Sequence, residues 1–120
     1  MNKTIAEDGV DIATSRVGQA LVVTVMDSRI DAAVAIEFKE AVRTEAEAPG
    51  NPVILDLSNV TFLDSSGLGA VVAVMKLLGA ERRLELSGLT PPVAKVFRLT
   101  RMDSVFTIHS EVPGALRATG

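Results

Sequence analysis

Cysteine, tryptophan and tyrosine are absent from the 120-residue chain, which has a single histidine and four phenylalanines. Without cysteine the chain cannot form a disulfide scaffold or a thiolate metal site, and this absence is compatible with a reducing cytoplasm. Four aspartates that could bind a metal have no histidine or cysteine in their company, and these are Asp27, Asp31, Asp56 and Asp64. We therefore expect a cytoplasmic protein that holds neither a metal nor another cofactor.

The chain also lacks a basic stripe. Its formal net charge is −3, and the basic residues are scattered apart from the pair Arg82-Arg83. Nucleic-acid-binding proteins usually combine a basic surface with aromatic side chains on which bases stack. Because both features are missing, we expect a protein as the partner and no nucleic acid.

No hydrophobic run reaches membrane-spanning length. The longest, Leu68 to Met75, is well short of the ~18 residues that a spanning helix needs, and Lys76 ends it. Residues 1–9 include Lys3, Glu7 and Asp8 and no apolar stretch long enough for a signal peptide. The sequence therefore predicts one soluble domain over residues 1–120, without membrane insertion.

The chain is organised around an apolar run at Val53 to Leu57, followed by Asp64-Ser65-Ser66 and a second apolar segment. The first run has the length of a buried strand, and the second has the length of a helix. The polar cluster then lies at a helix N-terminus, where side-chain oxygens cap free backbone N–H groups. A phosphate on Ser65 or Ser66 is compatible with the positive end of a helix, and it adds about −1.5 to −2 charge that a docked partner meets.

Two glycines, Gly67 and Gly69, fall in the first turns of this helix, where each costs about 1 kcal/mol relative to alanine. We interpret both as positions that leave the backbone open to close approach by another molecule. The predicted core face of the helix consists of Leu68, Val71, Val72, Met75 and Leu78. A shallow strip away from that face consists of Gly69, Ala73, Lys76 and Leu77, and it is either covered by the chain or a docking site beside Ser65.

The segment from Val53 to Val74, VILDLSNVTFLDSSGLGAVVAV, resembles the core signature of STAS domains, and within them the bacterial anti-sigma-factor antagonists. In that family a kinase that is also the anti-sigma factor uses ATP to phosphorylate the serine after the aspartate of the DSSG motif, and a serine phosphatase restores it. The resemblance implies that Ser65 is the phosphorylation site. The residues expected to bind the partner are Asp31, Asp64, Ser66, Gly67, Leu68, Gly69 and Ala73.

The chain departs from the family pattern at two positions. STAS proteins usually have Gly-x-Leu-Asp before the first helix, where this chain has Ser28-Arg29-Ile30-Asp31. The resemblance places Asp31 near the phosphorylation site, and capping of the next helix is an equally open role for it. A glycine that commonly follows the third helix is replaced by Arg101, so we expect that turn to be made another way.

Hydrophobic patterning predicts an α/β fold with a small mixed sheet of about four or five strands faced by about four helices, and this matches the STAS fold that the resemblance implies. The predicted strands are Ile12–Val17, Ala20–Met26, Val53–Leu57, Arg83–Ser87 and Val105–Ile108, with a hairpin turn at Gly18-Gln19. The predicted helices are residues 32–47, a helix opened by the Asp64-Ser65-Ser66 cluster and ended by Gly79 and Ala80, a helix that starts at Thr90-Pro91 with a capping hydroxyl, and residues 111–118.

An enzymatic role for Ser65 or Ser66 finds little support. A serine nucleophile needs a base, and His109 is the only histidine, while the Gly-x-Ser-x-Gly elbow is missing. Backbone N–H groups at the helix start could hold a nucleotide phosphate, but the lysine-serine/threonine pair of a P-loop is absent and Lys76 is too far along the helix. We expect no catalytic residues and no enzyme activity.

The resemblance thus implies an anti-sigma-factor antagonist whose unphosphorylated form binds a serine kinase/anti-sigma factor and frees the sigma factor or another target. Phosphorylation at Ser65 then releases the partner. The alternative is a STAS module whose serine is not a switch, acting as a constitutive assembly subunit in a lipid-transport or signalling complex.

Overall fold

The computed structural model describes residues 2–5, by their backbone, and residues 10–113. The main sheet has the strand order β1-β2-β3-β5-β7-β8, and a second, two-stranded sheet pairs β4 with β6. The strands are β1 (Asn2–Ile5), β2 (Asp11–Val17), β3 (Ala20–Val25), β4 (Arg29–Ile30), β5 (Val53–Asp56), β6 (Phe62–Leu63), β7 (Leu84–Ser87) and β8 (Ile108–His109). The helices are α1 (Ala35–Glu45), α2 (Ser65–Leu78) and α3 (Pro91–Leu99), and a short 3₁₀ turn covers Met102–Ser104.

The main sheet is mixed, as the sequence predicts. Strand β2 pairs antiparallel with β1 and with β3, and the hairpin turns at Gly18, whose φ of 60° is a left-handed conformation that glycine adopts readily. Strands β3, β5, β7 and β8 are parallel neighbours joined by crossovers that contain the helices. Strand β1 is additional to the prediction, because its mostly polar sequence carries no alternating pattern.

The described residues contain three α-helices, where about four were expected. The predicted terminal helix over 111–118 is not formed at 111–113, and the rest of that range lies outside the described residues. The helix predicted from Thr90-Pro91 does begin at Pro91. However, the Thr90 hydroxyl donates to the carbonyl of Val60 at 2.6 Å instead of capping, so it ties α3 to the loop before β6.

Two further details near the C-terminal end differ from the predictions. The last strand is Ile108–His109 and not Val105–Ile108, because the 3₁₀ turn takes up the preceding residues and Phe106 packs edge-on against Phe97 with ring centres 5.9 Å apart. Arg101 itself adopts the left-handed conformation, with φ 62° and ψ 17°, so the turn keeps the backbone shape that a glycine would give it.

The main core lies between one face of the sheet and the helices. Strand residues such as Val23, Leu55 and Leu86 are fully buried there, together with Phe38 of α1 and Phe97 of α3. The opposite face carries a smaller apolar cluster made of Ala20, Val22 and Ile54, with Val17 and Val112 packed against it. Within the described residues, no helix has the length and the apolar character needed to cross a membrane.

The buried face of α2 is rotated from the predicted one. Its buried residues are Gly67, Ala70, Val71 and Val74, whereas the predicted core residues Leu68, Val72, Met75 and Leu78 are half-buried and pack against the core from its border. The helix packs against both the sheet and α1. Gly67 packs directly on the backbone of Ile30, a contact that periodicity alone does not reveal.

Candidate functional site

The candidate site lies where β6 leads into α2. Strand β6 pairs in parallel with β4, with Phe62 opposite Arg29 and Leu63 opposite Ile30. The backbone N–H groups of Thr61 and Phe62 also donate to the carbonyl of Ser28. Part of the segment over residues 27–31 is therefore a strand, and it lies directly beside the start of the DSSG motif.

Asp64 joins two parts of the site with its two carboxylate oxygens. Oδ1 accepts a hydrogen bond from the backbone N–H of Gly67 at 2.9 Å, so Asp64 is the N-cap of α2 as predicted. Oδ2 accepts from the backbone N–H of Ala32 at 3.1 Å, in the turn that precedes α1. The side chain thereby fixes the start of α2 relative to the chain entering α1.

Asp31 does not cap α1, so that predicted role is wrong. The N-cap of α1 is Val34, which makes no side-chain cap. Asp31 instead stabilises the turn before the helix, since its Oδ1 accepts from the N–H of Ala33 at 3.1 Å and its carbonyl accepts from the N–H of Val34. Its Oδ2 pairs with Arg29 at 3.2 Å. The residue that follows Asp31 is Ala32, which is hydrogen-bonded to Asp64, so Asp31 does lie close to the DSSG motif.

Ser65 and Ser66 are the first two residues of α2, and both are exposed. In the described part of the chain, neither hydroxyl makes a hydrogen bond, because Asp64 alone supplies the cap. The two hydroxyls are thus dispensable for the helix and accessible to another molecule. Phosphorylation of Ser65 stays a prediction at this point.

The two glycines of the motif have different surroundings. Gly67 is buried, and a Cβ added to it would lie 2.1 Å from the carbonyl oxygen of Ile30. The interpretation of Gly67 as a point of approach for another molecule is therefore wrong, because the chain's own β4 occupies that space. Gly69 is exposed, and a Cβ there would meet nothing within 4 Å, so only this glycine leaves open backbone at the surface.

The strip along α2 is largely accessible. Gly69, Lys76 and Leu77 are exposed, Ala73 is half-buried, and Leu77 keeps 54% of its surface. Within the strip, the rest of the chain therefore covers only Ala73, and only in part. A docking role for the strip remains a prediction.

Some exposed side chains near the site were missed from the sequence. Ile36, in the first turn of α1, is 71% exposed. Phe62 is 40% exposed, and the guanidinium of Arg29 lies 4.2 Å from the centre of its ring. No sequence signal marks the Arg29–Phe62 contact, because it depends on the pairing of β4 with β6.

His109 serves a different part of the molecule. Its Nε2 lies 2.8 Å from Oε1 of Glu85, a buried residue of β7 whose other oxygen pairs with Arg83 at 3.1 Å. The histidine is thus a partner of a buried carboxylate and makes no hydrogen bond to Ser65 or Ser66. Glu85 was not singled out from the sequence, where it lies in an alternating strand pattern.

Comparison with known proteins identifies the family. A family model for the STAS domain matches residues 11–115. The chain belongs to the STAS domain family. The fold described above is accordingly the STAS fold, and the DSSG motif is the segment in which β6 passes into α2.

Its relatives within that family include regulatory proteins. A STAS-domain containing protein of Pseudomonas aeruginosa is 30% identical over 76% of this chain and 89% of the relative. An anti-sigma-B factor antagonist of Listeria monocytogenes is 32% identical over 68% of this chain and 72% of its own length. The crystal structure of an anti-sigma factor antagonist from Mycobacterium paratuberculosis superposes with a TM-score of 0.76 at 28% identity, covering 96% of this chain and 97% of the other. By sequence and by structure, the chain groups with the anti-sigma factor antagonists.

Proposed function

We propose that the protein is a phosphorylation-controlled antagonist that binds a serine kinase/anti-sigma factor while Ser65 is unmodified. Binding frees the sigma factor or another target, and phosphorylation of Ser65 releases the partner. A serine phosphatase returns the protein to its binding form, and the cycle takes place in the cytoplasm. The protein is the substrate and the ligand in this cycle and performs no catalysis itself.

The observation that carries this proposal is the exposed, unbonded hydroxyl of Ser65 directly after the capping carboxylate of Asp64. A kinase can reach this hydroxyl without opening the fold, since the helix start does not depend on it. A phosphate at the first residue of α2 also meets the positive end of the helix. Modification therefore leaves the fold intact and changes only the surface.

Charge explains the release of the partner. The carboxylate of Asp64 already lies beside Ser65, and the phosphate adds about −1.5 to −2 charge and considerable bulk. A partner surface that fits the neutral serine has no positive group opposite the phosphate. Docking would then remove water from the phosphate without providing a counter-charge. The proposed docking surface comprises Asp31, Asp64, Ser65, Ser66, Leu68, Gly69 and Ala73, with Gly67 supporting it from inside.

The test uses the proteins Ser65→Ala and Ser65→Glu as paired baits in a lysate of the source organism, with captured proteins identified by mass spectrometry. The expected result is that Ser65→Ala retains an ATP-dependent serine kinase and Ser65→Glu does not. The captured kinase, supplied with ATP, should place a phosphate on Ser65 of the wild-type protein. Ser110→Glu is the matched control, because it adds the same charge at an exposed serine beyond β8 and should retain the kinase.

Retention of the same partner by both baits, with unchanged circular dichroism, would overturn the switch. In that case the assembly-subunit function replaces it, since an assembly contact does not depend on the charge at Ser65. Loss of kinase binding in Ser110→Glu would also count against the proposal, because it would show a general response to negative charge.

A further inference from the structure

Two arginines converge on one loop at the amino end of the parallel strands. Arg82 donates from all three of its side-chain nitrogens, to the carbonyls of Ala46, of Ala48 at 3.0 Å and of Gly50 at 2.9 Å. Arg16, near the end of β2, donates from Nη1 to the carbonyl of Pro49 at 2.9 Å. Because residues 48, 49 and 50 are consecutive, the two guanidinium groups are anchored on adjacent peptide units.

Neither arginine forms an ion pair with a described acidic residue. Among the described residues, no carboxylate oxygen lies within 4.0 Å of either guanidinium group, and the basic residues in ion pairs are Arg29, Arg43, Arg83 and His109. Two cations held close together repel each other, and the carbonyl dipoles offset that repulsion only in part. The fold thus maintains two uncompensated positive charges in a protein whose net charge is −3.

The loop that positions the two arginines is firmly seated. Gly50 packs so closely on β3 that an added Cβ would lie 2.7 Å from the Cβ of Leu21. The N–H of Asn51 donates to the carbonyl of Gln19 at 3.0 Å, and its Oδ1 accepts from the N–H of Arg83 at 3.2 Å. The donors are therefore held in place before any ligand arrives, which lowers the entropic cost of binding.

An open groove of about 460 Å³ lies over this loop and is lined by Arg16, Gln19, Pro49, Gly50, Asn51 and Arg82. A guanidinium group has five N–H donors, so Arg82 keeps two and Arg16 keeps four beyond the bonds described above. The planar fork of such a group matches the oxygens of a phosphate.

We propose that this groove binds a small molecule with two linked phosphates, one facing each guanidinium group. The site is independent of Ser65. The groove adjoins Leu21 and Asn51, where β3 and β5 begin, whereas the DSSG motif follows the carboxyl end of β5. The molecule would thus carry an anion site and a phosphorylation site at opposite ends of the sheet.

The test is a titration of isotope-labelled protein with pyrophosphate and with ADP, followed by amide NMR shifts at low ionic strength. We expect saturable shifts at Gln19, Gly50 and Asn51 with either probe. Tighter binding of ADP identifies a nucleotide as the ligand, and equal affinities identify a free polyphosphate. Arg16 is exposed, so Arg16→Gln keeps the fold and should weaken binding about tenfold or more.

Arg98→Gln is the control, because it removes the same charge from an exposed position on α3 and should leave the affinity unchanged. Absence of saturable shifts at these residues with both probes would overturn the proposal. An equal loss of affinity in Arg16→Gln and Arg98→Gln would overturn it as well, since the probes would then respond only to the net charge of the protein. Inorganic phosphate binding as tightly as pyrophosphate would contradict the assignment of two linked phosphates.

Discussion

The carboxylate of Asp64 hydrogen-bonds the backbone N–H of Ala32 at 3.1 Å while it caps its own helix through Gly67. The residue that directly precedes the candidate phosphorylation site therefore also holds the turn that leads into α1. Asp64 therefore positions both the start of α2 and the turn before α1, and a partner that contacts this turn depends on Asp64.

Replacement of Asp64 tests this double role. Asp64→Ala should lower the free energy of unfolding by about 2–3 kcal/mol, because it removes a helix cap and a second charge-assisted hydrogen bond. Asp64→Asn should cost about 1 kcal/mol, since the amide oxygen preserves one of the two bonds. Ser65→Ala is the control and should stay within about 0.5 kcal/mol of wild type in urea unfolding. If Ser65→Ala lowers the free energy of unfolding as much as Asp64→Ala does, the serine is the residue that caps the helix.

The two glycines of the motif give a matched pair of alanine substitutions. Gly67→Ala should destabilise the protein by about 2 kcal/mol or more, because the new methyl group collides with the carbonyl of Ile30. Gly69→Ala should raise the stability by up to about 1 kcal/mol, since alanine favours the helix and the space is open. Thermal and urea unfolding measure both changes. Similar effects of the two substitutions would contradict the different surroundings of the two positions.

Arg101 holds a left-handed backbone conformation that is unfavourable for a residue with a side chain. Arg101→Gly should therefore raise the free energy of unfolding by about 0.5–1 kcal/mol, even though glycine adds freedom to the unfolded chain. Arg98→Gly is the control within α3 and should lower it by about 1 kcal/mol, because it places glycine in a helix. If Arg101→Gly destabilises the protein as Arg98→Gly does, the Arg101 side chain makes a stabilising contact that outweighs the backbone strain.

We expect the buried Glu85 to depend more on His109 than on Arg83. The His109 side chain is 29% exposed, whereas that of Arg83 is 73% exposed, so solvent screens the arginine pair more strongly. His109→Ala should cost about 1–3 kcal/mol, because it leaves a buried carboxylate oxygen without its partner. Arg83→Ala should cost less than about 1 kcal/mol in the same urea unfolding measurement. The reverse order would show that the arginine supplies the main counter-charge.

Much of the succession of strands and helices was readable from the sequence, because it follows from local patterns. The hairpin at Gly18, the strand from Val53 and the start of α3 at Pro91 each depend on residues close together in the chain. The same holds for the position of Ser65 at the start of α2, since an apolar run, a polar cap and a second apolar run occur in that order. Strand β1 escaped prediction because an edge strand of mostly polar residues is defined by its pairing with β2.

The sequence by itself determined the alternation of elements and the placement of an accessible serine at a helix start, since both arise from the spacing of neighbouring residues. Only the tertiary structure decided that Gly67 packs on Ile30 while Gly69 faces solvent, although the two are chemically identical residues two positions apart. The tertiary structure also decided that Asp64 accepts from Ala32, that Glu85 pairs with His109, and that Arg16 and Arg82 converge on one loop. Each of these contacts joins a residue to atoms whose proximity depends on how the whole chain folds, and no local pattern encodes that proximity.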